Sequence, residues 1–349
     1  MFYNPIEDKV LGKDVLLAVA SDNPNVNKVK ENTTYSEARN ILSKGIKRKT
    51  PTHIFIGSNK GGVGKSMTAL QVAWFLNARG FKVLLADLDA QANITCSLLE
   101  DGTKTEADKS FYDVLTGEAT FDQVISHVSE GFDLMGANQK LSEVDYFLRS
   151  QEANQNSSYF DRDKTQSDQS NEVYLQTYKI FKKLGENYDF IIYDTNPETN
   201  KFNRLSMQVC DIALVPMQAK ESSAKAYMVT LTEINDSFIS VARDASDIED
   251  RVKLLFNNND YIPEKKKEKI INKIYKHFSG SILNEYIEYS YELGEASDVG
   301  WPAFAHNEIP LEIVENISNV VDEVIELADS VQSVRSTKKR RHMFLSDNA

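Results

Sequence analysis

The ten residues GSNKGGVGKS, Gly57 to Ser66, constrain the fold of this chain more than any other stretch. An apolar, β-branched run, HIFIG (53–57), leads into them. A helical pattern follows, KSMTALQVAWFLNARG (65–80), with Ala69, Val72, Ala73 and Leu76 spaced for one helix face and Gly80 at its end. A glycine-rich loop between a strand and a helix is the setting in which such a loop cradles phosphate. Glycines let backbone N–H groups converge on phosphate oxygens without Cβ clashes. Gly61, Gly62, Val63, Gly64, Lys65, Ser66 and Met67 are therefore the candidate nucleotide-binding residues. Lys65 would neutralise the β- and γ-phosphates and the Ser66 hydroxyl would ligate Mg²⁺. The start of the helix adds a favourable partial positive charge. A glycine turn that binds nothing is the bland alternative, and it leaves the Gly-Lys-Ser ending unexplained. One lysine suffices to bind a phosphate, so Lys60, just before the glycines, needs its own explanation.

The pattern beyond residue 50 alternates strand and helix. KVLLADLD (82–89), YDFIIYDT (188–195), DIALVPMQ (211–218) and VKLLFNN (252–258) read as buried strands, with helical patterns between them. Near-continuous apolar strands alternating with helices predict an α/β fold with a mostly parallel, twisted sheet and helices on both faces, and the glycine loop at 61–66 makes a P-loop NTPase the expected version of it. Ligands of such sheets bind beyond the C-terminal strand ends. The glycine loop and two aspartate-bearing strand ends fall there.

Asp194 ends the strand FIIYD, where a carboxylate would hold Mg²⁺ opposite Ser66. A helix cap is its plainer role, which Thr195 or Asn196 could also fill. Asp87 and Asp89 end another strand and, two residues apart, share a face. At least one should reach the γ-phosphate region and orient or deprotonate the attacking water; solvated turn residues are the alternative. Asn257 and Asn258 end LLFNN, and adenine contact or loop capping would each suit them.

With 349 residues and 41% hydrophobic content, the chain is long enough for one large α/β domain with appendages. The N-terminus lacks a secretory pattern and no apolar run is long enough to span a membrane, so a cytoplasmic protein is expected. The only two cysteines, Cys96 and Cys210, exclude a disulfide scaffold and are expected to be buried as small apolar residues. The net charge of −12 argues against nucleic acid in bulk, yet residues 1–50 carry nine Lys/Arg and six Asp/Glu. Basic clusters also occur at 264–269 (EKKKEK) and 338–341 (KKRR). Each is a phosphate-backbone patch or a solvated face. In PEKKKEKIINKIYKHF, Lys266, Lys269, Lys273 and Lys276 recur at i, i+3, i+7, i+10 beside an apolar stripe of Ile270, Ile271, Ile274 and Phe278. The segment 150–172 is rich in Gln, Asn, Ser and Asp and reads as a mobile surface insertion. The expected division is an N-terminal extension, 1–50, as an arm or small DNA- or partner-binding element. A nucleotide-binding domain would follow at 51–335, then a basic flexible tail at 336–349.

KGGVGKS, then VLLADLDAQAN, then FIIYDTNP together resemble the deviant Walker ATPases of the ParA/MinD type. The resemblance covers roughly residues 52–335. It includes the middle segment SFYDVLTGEATFDQVISHVSEGFDLMGANQKLSEVDYFLRS, VPMQ (215–218) and GEASDVGWPAF (294–304). It implies an ATPase with weak intrinsic activity, using ATP and Mg²⁺, that closes into a sandwich homodimer when ATP-bound. By the same resemblance Lys60 would reach the partner's phosphates, and Lys60, Lys65 and Asp89 would be catalytic. Ser66 and Asp194 would hold the metal. In ParA-type proteins the helix at the place of Lys266 to Lys276 contributes to nonspecific DNA binding. A ParB-type centromere-binding partner would stimulate hydrolysis, and the protein would be nucleoid-associated; the 50-residue N-terminal extension points to a plasmid-borne protein, with plasmid or chromosomal cargo left open.

The sequence departs from the family pattern where Ala90 and Ala92 replace a Pro and a Gly, and where Asn196 replaces the first Pro after the Walker B aspartate. These changes bear on how stiff the water-positioning switch is. The helical segment EIVENISNVVDEVIELADSV is apolar on one side and acidic on the other. Anionic lipid would repel it, so it is expected to pack on the body and no membrane partner is expected. Cys96 and Cys210 do not fit a cluster-bridging iron protein, and the tail has no tyrosine, against a tyrosine kinase of this fold. The alternative function is a nucleotide-switched recruitment or positioning protein of the MinD type, without DNA binding.

Overall fold

Strands that are apolar on both faces need helices on both faces, and the topology supplies them. The computed structural model describes residues 6–99, 106–157, 179–181, 183–198, 201–218, 220–240, 248–258, 265, 268, 269, 272 and 282–346. Among these the strands are β1 (Thr52–Ile56), β2 (Val83–Asp87), β3 (Ile125–Ser129), β4 (Phe132–Met135), β5 (Phe190–Asp194), β6 (Ile212–Met217), β7 (Val252–Asn258) and β8 (Ile287–Glu288). They form one sheet in the order β3-β4-β2-β5-β1-β6-β7-β8. All neighbours are parallel except the edge pair β3–β4. The helices are α1 (Lys13–Ala20), α2 (Tyr35–Leu42), α3 (Lys65–Ala78), α4 (Asn93–Leu98), α5 (Phe111–Leu115) and α6 (Val144–Ser157). They continue with α7 (Lys201–Val209), α8 (Glu221–Ser240), α9 (Ile248–Arg251), α10 (Tyr291–Asp298) and α11 (Leu311–Ser346).

The strand period of two divides the core. Ile54 and Ile56 of β1 join a cluster with α3, α1 and α11, while Phe55 faces the other way into a cluster with Ala213, Val215 and Tyr227. Helix α3 is buried almost all round, so its polar residues are all bonded. Gln71 donates to the Trp301 carbonyl at 3.0 Å and accepts from the Ala303 amide at 2.8 Å. Trp74 Nε1 donates to the Gly300 carbonyl at 2.9 Å. The stretch GEASDVGWPAF thereby locks onto α3.

The structure differs from three expectations about the domain edges. The N-terminal extension is no arm. Ile6, Leu11, Leu16, Val19, Tyr35 and Ala38 belong to the main core cluster. Arg79 at the end of α3 ties three elements together: Nε donates to the Val19 carbonyl, Nη2 to Ser318, and Nη1 pairs with Asp322 at 2.7 Å. The apolar residues of α1 and α2 are too few for a separate core, so they complete this one. The expected flexible tail is instead the end of α11, which continues through Ser346. No Gly or Pro interrupts residues 332–346, and the Lys/Arg run favours helix. The expected insertion begins as helix too: residues 150–157 are the last two turns of α6. Its remainder, 158–172, lies outside the described residues.

Candidate functional site

The loop 57–64 links β1 to α3 at the C-terminal edge of the sheet, and side chains hold its carbonyls in place. Asn257 Nδ2 donates to the Val63 carbonyl at 2.9 Å, Thr68 Oγ1 to Gly64 at 2.7 Å and Gln218 Nε2 to Gly62 at 3.0 Å. Lys65 Nζ lies 3.4 Å from the Lys60 carbonyl. The backbone N–H groups of residues 61–67, by contrast, find no acceptor among the described residues. Carbonyls tied down and amides left open make an anion cradle at the start of α3. Gly62 and Gly64 adopt φ of 69° and 83°, in the left-handed region that favours glycine. A Cβ on Gly64 would also meet Asn257 Nδ2 at 2.7 Å.

Asp87 and Asp194 are register partners at the ends of β2 and β5, both almost fully buried. Lys65, 9% exposed, is the nearby cation. Burial, with Asp87 beside it, pushes the Asp194 carboxyl well above the usual carboxylate range, while the Ser66 hydroxyl and Lys65 pull it back. Burial likewise raises Asp87 to about 6, against hydrogen bonds from Thr95 and the Asp89 amide. Burial lowers the Lys65 ammonium, which Asp194 and Asp89 oppose. Asp194 Oδ1 is buried with no hydrogen-bond partner. An orphaned buried carboxylate oxygen next to the Ser66 hydroxyl fits a divalent cation, and the donor set is the hard oxygen set that Mg²⁺ takes.

The two switch aspartates separate in role. Asp87 is consumed structurally, its Oδ2 accepting from Thr95 N at 3.0 Å and Thr95 Oγ1 at 2.7 Å. Asp89 is half-buried, and its Oδ1 accepts only a turn contact from the Gln91 amide at 2.9 Å. The turn ends at Ala92, whose φ of 54° is the left-handed geometry that a glycine takes without strain.

Among the remaining expected site residues, Gly61 is exposed and Val63 buried, and Met67 is partly buried and packs against the core. Met67 thus offers a ligand its amide. Asn257 is fully buried, its amide spent on Val63 and on Thr68 Oγ1 at 3.0 Å. Its Nδ2 props the loop from behind, while its Oδ1 is buried with no hydrogen-bond partner. Cys96 is exposed, not buried, because α4 turns it toward an open cavity of about 550 Å³ shared with Ser66 and Ser297. Cys210 is buried as expected. Lys269 is exposed on a helical turn, while Lys266, Lys273 and Lys276 lie outside the described residues.

Sequence reasoning missed one fixture. The Asn59 amide donates to Thr230 Oγ1 at 3.1 Å, Thr230 Oγ1 donates to Asn59 Oδ1 at 2.9 Å, and Asn59 Nδ2 donates to both Glu233 carboxylate oxygens at 3.2 Å. Asn59 thus fastens the backbone immediately before Lys60 to α8. Its position inside the loop was the only signal, since Thr230 of α8 lies 171 residues away in sequence.

Among known proteins, the AAA_31 family, described as an AAA domain, matches residues 51–245. The chain is 26% identical over 256 residues to the chromosome partitioning protein ParA of Caulobacter vibrioides, covering 72% of this chain and 86% of that one. It is 24% identical over 267 residues to the chromosome-partitioning ATPase Soj of Treponema pallidum, covering 73% and 90%. An ATP complex of Cyanothece McdA shares the fold with a TM-score of 0.63 at 18% identity, over 80% of this chain and 98% of that one. A putative plasmid partition protein of Borrelia burgdorferi bound to AMPPNP does so at 0.58 and 20% identity, over 79% and 99%. The family match takes in the loop, both aspartate strand ends and the helix that clamps Asn59, and the chain therefore belongs to the AAA_31 family as an ATPase of the ParA/MinD type.

Proposed function

We propose that this chain is a DNA-partition ATPase, whose ATP-bound homodimer binds DNA without sequence preference and is released when a ParB-type partner stimulates hydrolysis. The observation that carries the reading is the loop itself. Its amides 61–67 are open, its carbonyls are tied away, and a second lysine stands at its outer edge on a backbone clamped by Asn59. The names of the Caulobacter and Treponema relatives support partition as the task. No helix among the described residues is long and apolar enough to cross a membrane.

The chain's residues divide the work as follows. The open amides and Lys65 bind the phosphates of ATP. Ser66 and Asp194 hold Mg²⁺, which when bound neutralises phosphate charge. Asp87 keeps the switch turn folded through Thr95. Asp89 faces the attacking water and orients it. Lys60 reaches the phosphates of the partner's ATP, so nucleotide occupancy and dimer closure become one event. Two ATP molecules brought face to face need extra cations between them, and Lys60 supplies one from each protomer.

DNA contact is placed on Lys266, Lys269, Lys273 and Lys276. A dimer presents two such faces, which gives avidity only when ATP closes it. Fluorescence anisotropy with random duplex should therefore show binding with a nonhydrolysable ATP analogue and none with ADP. Affinity should fall with salt at a log–log slope of about −0.9 per phosphate contact. Changing all four lysines to Glu should remove binding and spare ATP affinity. Absence of DNA binding by the unaltered protein in every nucleotide state would favour the MinD-type recruitment switch instead.

A further inference from the structure

A second basic site lies at the opposite edge of the sheet. From Ala38 to Ala86 the chain has no Asp or Glu, although its net charge is −12. Nine cations occur in that stretch. Lys60 and Lys65 belong to the ATP site, Arg79 pairs with Asp322, and Arg48 pairs with Asp329 at 2.8 Å while lying over the Phe190 ring. Of the other five, all but Lys44 lie near the start of β1. Arg39, Lys47, Lys49 and Lys82, with Arg48, line an open cleft of about 460 Å³. Lys47, Lys49 and Lys82 are exposed at its rim.

The cleft contains an incompletely satisfied cation. Arg39 is 3% exposed, and its Nη2 donates to the Phe81 carbonyl at 2.9 Å, but Nε has no partner. No carboxylate among the described residues comes within 4.0 Å of its guanidinium. Three carboxylates also line the cleft. Both oxygens of Asp189 are taken by backbone amides, of Arg48 and of Lys82, each at 2.8 Å. Glu130 and Glu186 are exposed at the rim. With Arg48 paired to Asp329, four cations therefore face three carboxylates, one of which is already hydrogen-bonded by two backbone amides. A buried guanidinium with no carboxylate in contact, only Glu130 and Asp189 at longer range, under a rim of flexible ammonium groups, suits a ligand carrying several charges on tetrahedral oxygens.

We propose that the cleft formed by Arg39, Lys47, Lys49 and Lys82 binds phosphate groups, separately from the ATP site. The strand β1 runs between the two sites, about 17 Å from end to end, so one nucleotide cannot occupy both. The phosphates could belong to a DNA backbone, which would extend the partition reading by adding a contact surface, or to a free polyphosphate. The DNA arm rests on that reading; the polyphosphate arm does not.

The test uses the full chain loaded with Mg²⁺ and a nonhydrolysable ATP analogue, so that the glycine loop is filled. Random duplex is titrated by anisotropy at several salt concentrations, and inorganic tripolyphosphate by calorimetry. The variant is Lys47→Ala/Lys49→Ala/Lys82→Ala, which alters exposed side chains only; Arg39→Gln serves as a second variant, checked for folding. A tenfold or greater loss of DNA affinity, with the salt slope reduced by about 2–3, assigns the cleft to DNA backbone. Loss of tripolyphosphate binding with DNA binding unchanged assigns it to a free polyphosphate. If wild type binds no DNA yet binds tripolyphosphate in a way the triple variant loses, the cleft stands and the partition reading falls. Unchanged binding of both ligands by the triple variant, or no binding of either by wild type, overturns the proposal. The Glu variant of the four helix lysines, measured alongside, shows whether a loss belongs to that helix instead.

Discussion

Lys65→Ala is expected to abolish ATP binding in the low-micromolar range while the chain still folds. The ammonium sits at the start of α3 among Asp194, Asp89 and the open loop amides. A hydrogen bond to a charged group contributes about 1.5–3 kcal/mol, and Lys65 would contact two phosphates. Losing about 3 kcal/mol or more weakens binding by about a hundredfold or more. The fold should survive because α3 keeps its core residues and its bonds to Trp301, Ala303 and Gly300. Calorimetric titration with Mg-ATP, paired with a circular-dichroism melt, checks both halves. Binding within threefold of wild type would remove Lys65 from the phosphate site.

Asp89→Ala should do the reverse: retain Mg-ATP and lose turnover by about 10²–10⁴-fold, the usual contribution of one positioned acid–base group. Ser66 and Asp194 are untouched by the change. The turn should hold, because Asp87 keeps its bonds to Thr95 and the Ala92 amide still bonds the backbone carbonyl of residue 89. Stimulated phosphate release, measured beside equilibrium ATP binding, separates the two effects. Wild-type turnover would transfer water positioning elsewhere. Asp87 is a poor substitute, since it is 1% exposed and its carboxylate is already engaged by Thr95.

The centre of the fold was legible because its signals are local. The five strands read from apolar runs became the five central strands, β2-β5-β1-β6-β7. The three others gave weaker signals: β3 is half-exposed along most of its length, β4 has four residues and β8 two. The packing of residues 6–46 was not legible, because α1 and α2 are eight residues each and their apolar positions acquire meaning only against α3 and α11. In the site, the loop and the aspartates could be read from spacing. The supports could not. Asn257 reaches Val63 across 194 positions and Thr230 reaches Asn59 across 171, and no periodicity encodes such pairs. Asp87 and Asp89 looked equivalent on one strand face until Thr95 claimed the first of them.

Equilibrium sedimentation of wild type and Lys60→Ala, each with Mg²⁺ and a nonhydrolysable ATP analogue, tests the central claim that Lys60 makes ATP occupancy and dimer closure a single event. Wild type should be dimeric with the analogue and monomeric with ADP. Lys60→Ala should bind the analogue, since Lys65 and the loop amides remain, and should stay monomeric. A Lys60→Ala protein that dimerises as well as wild type would contradict the account.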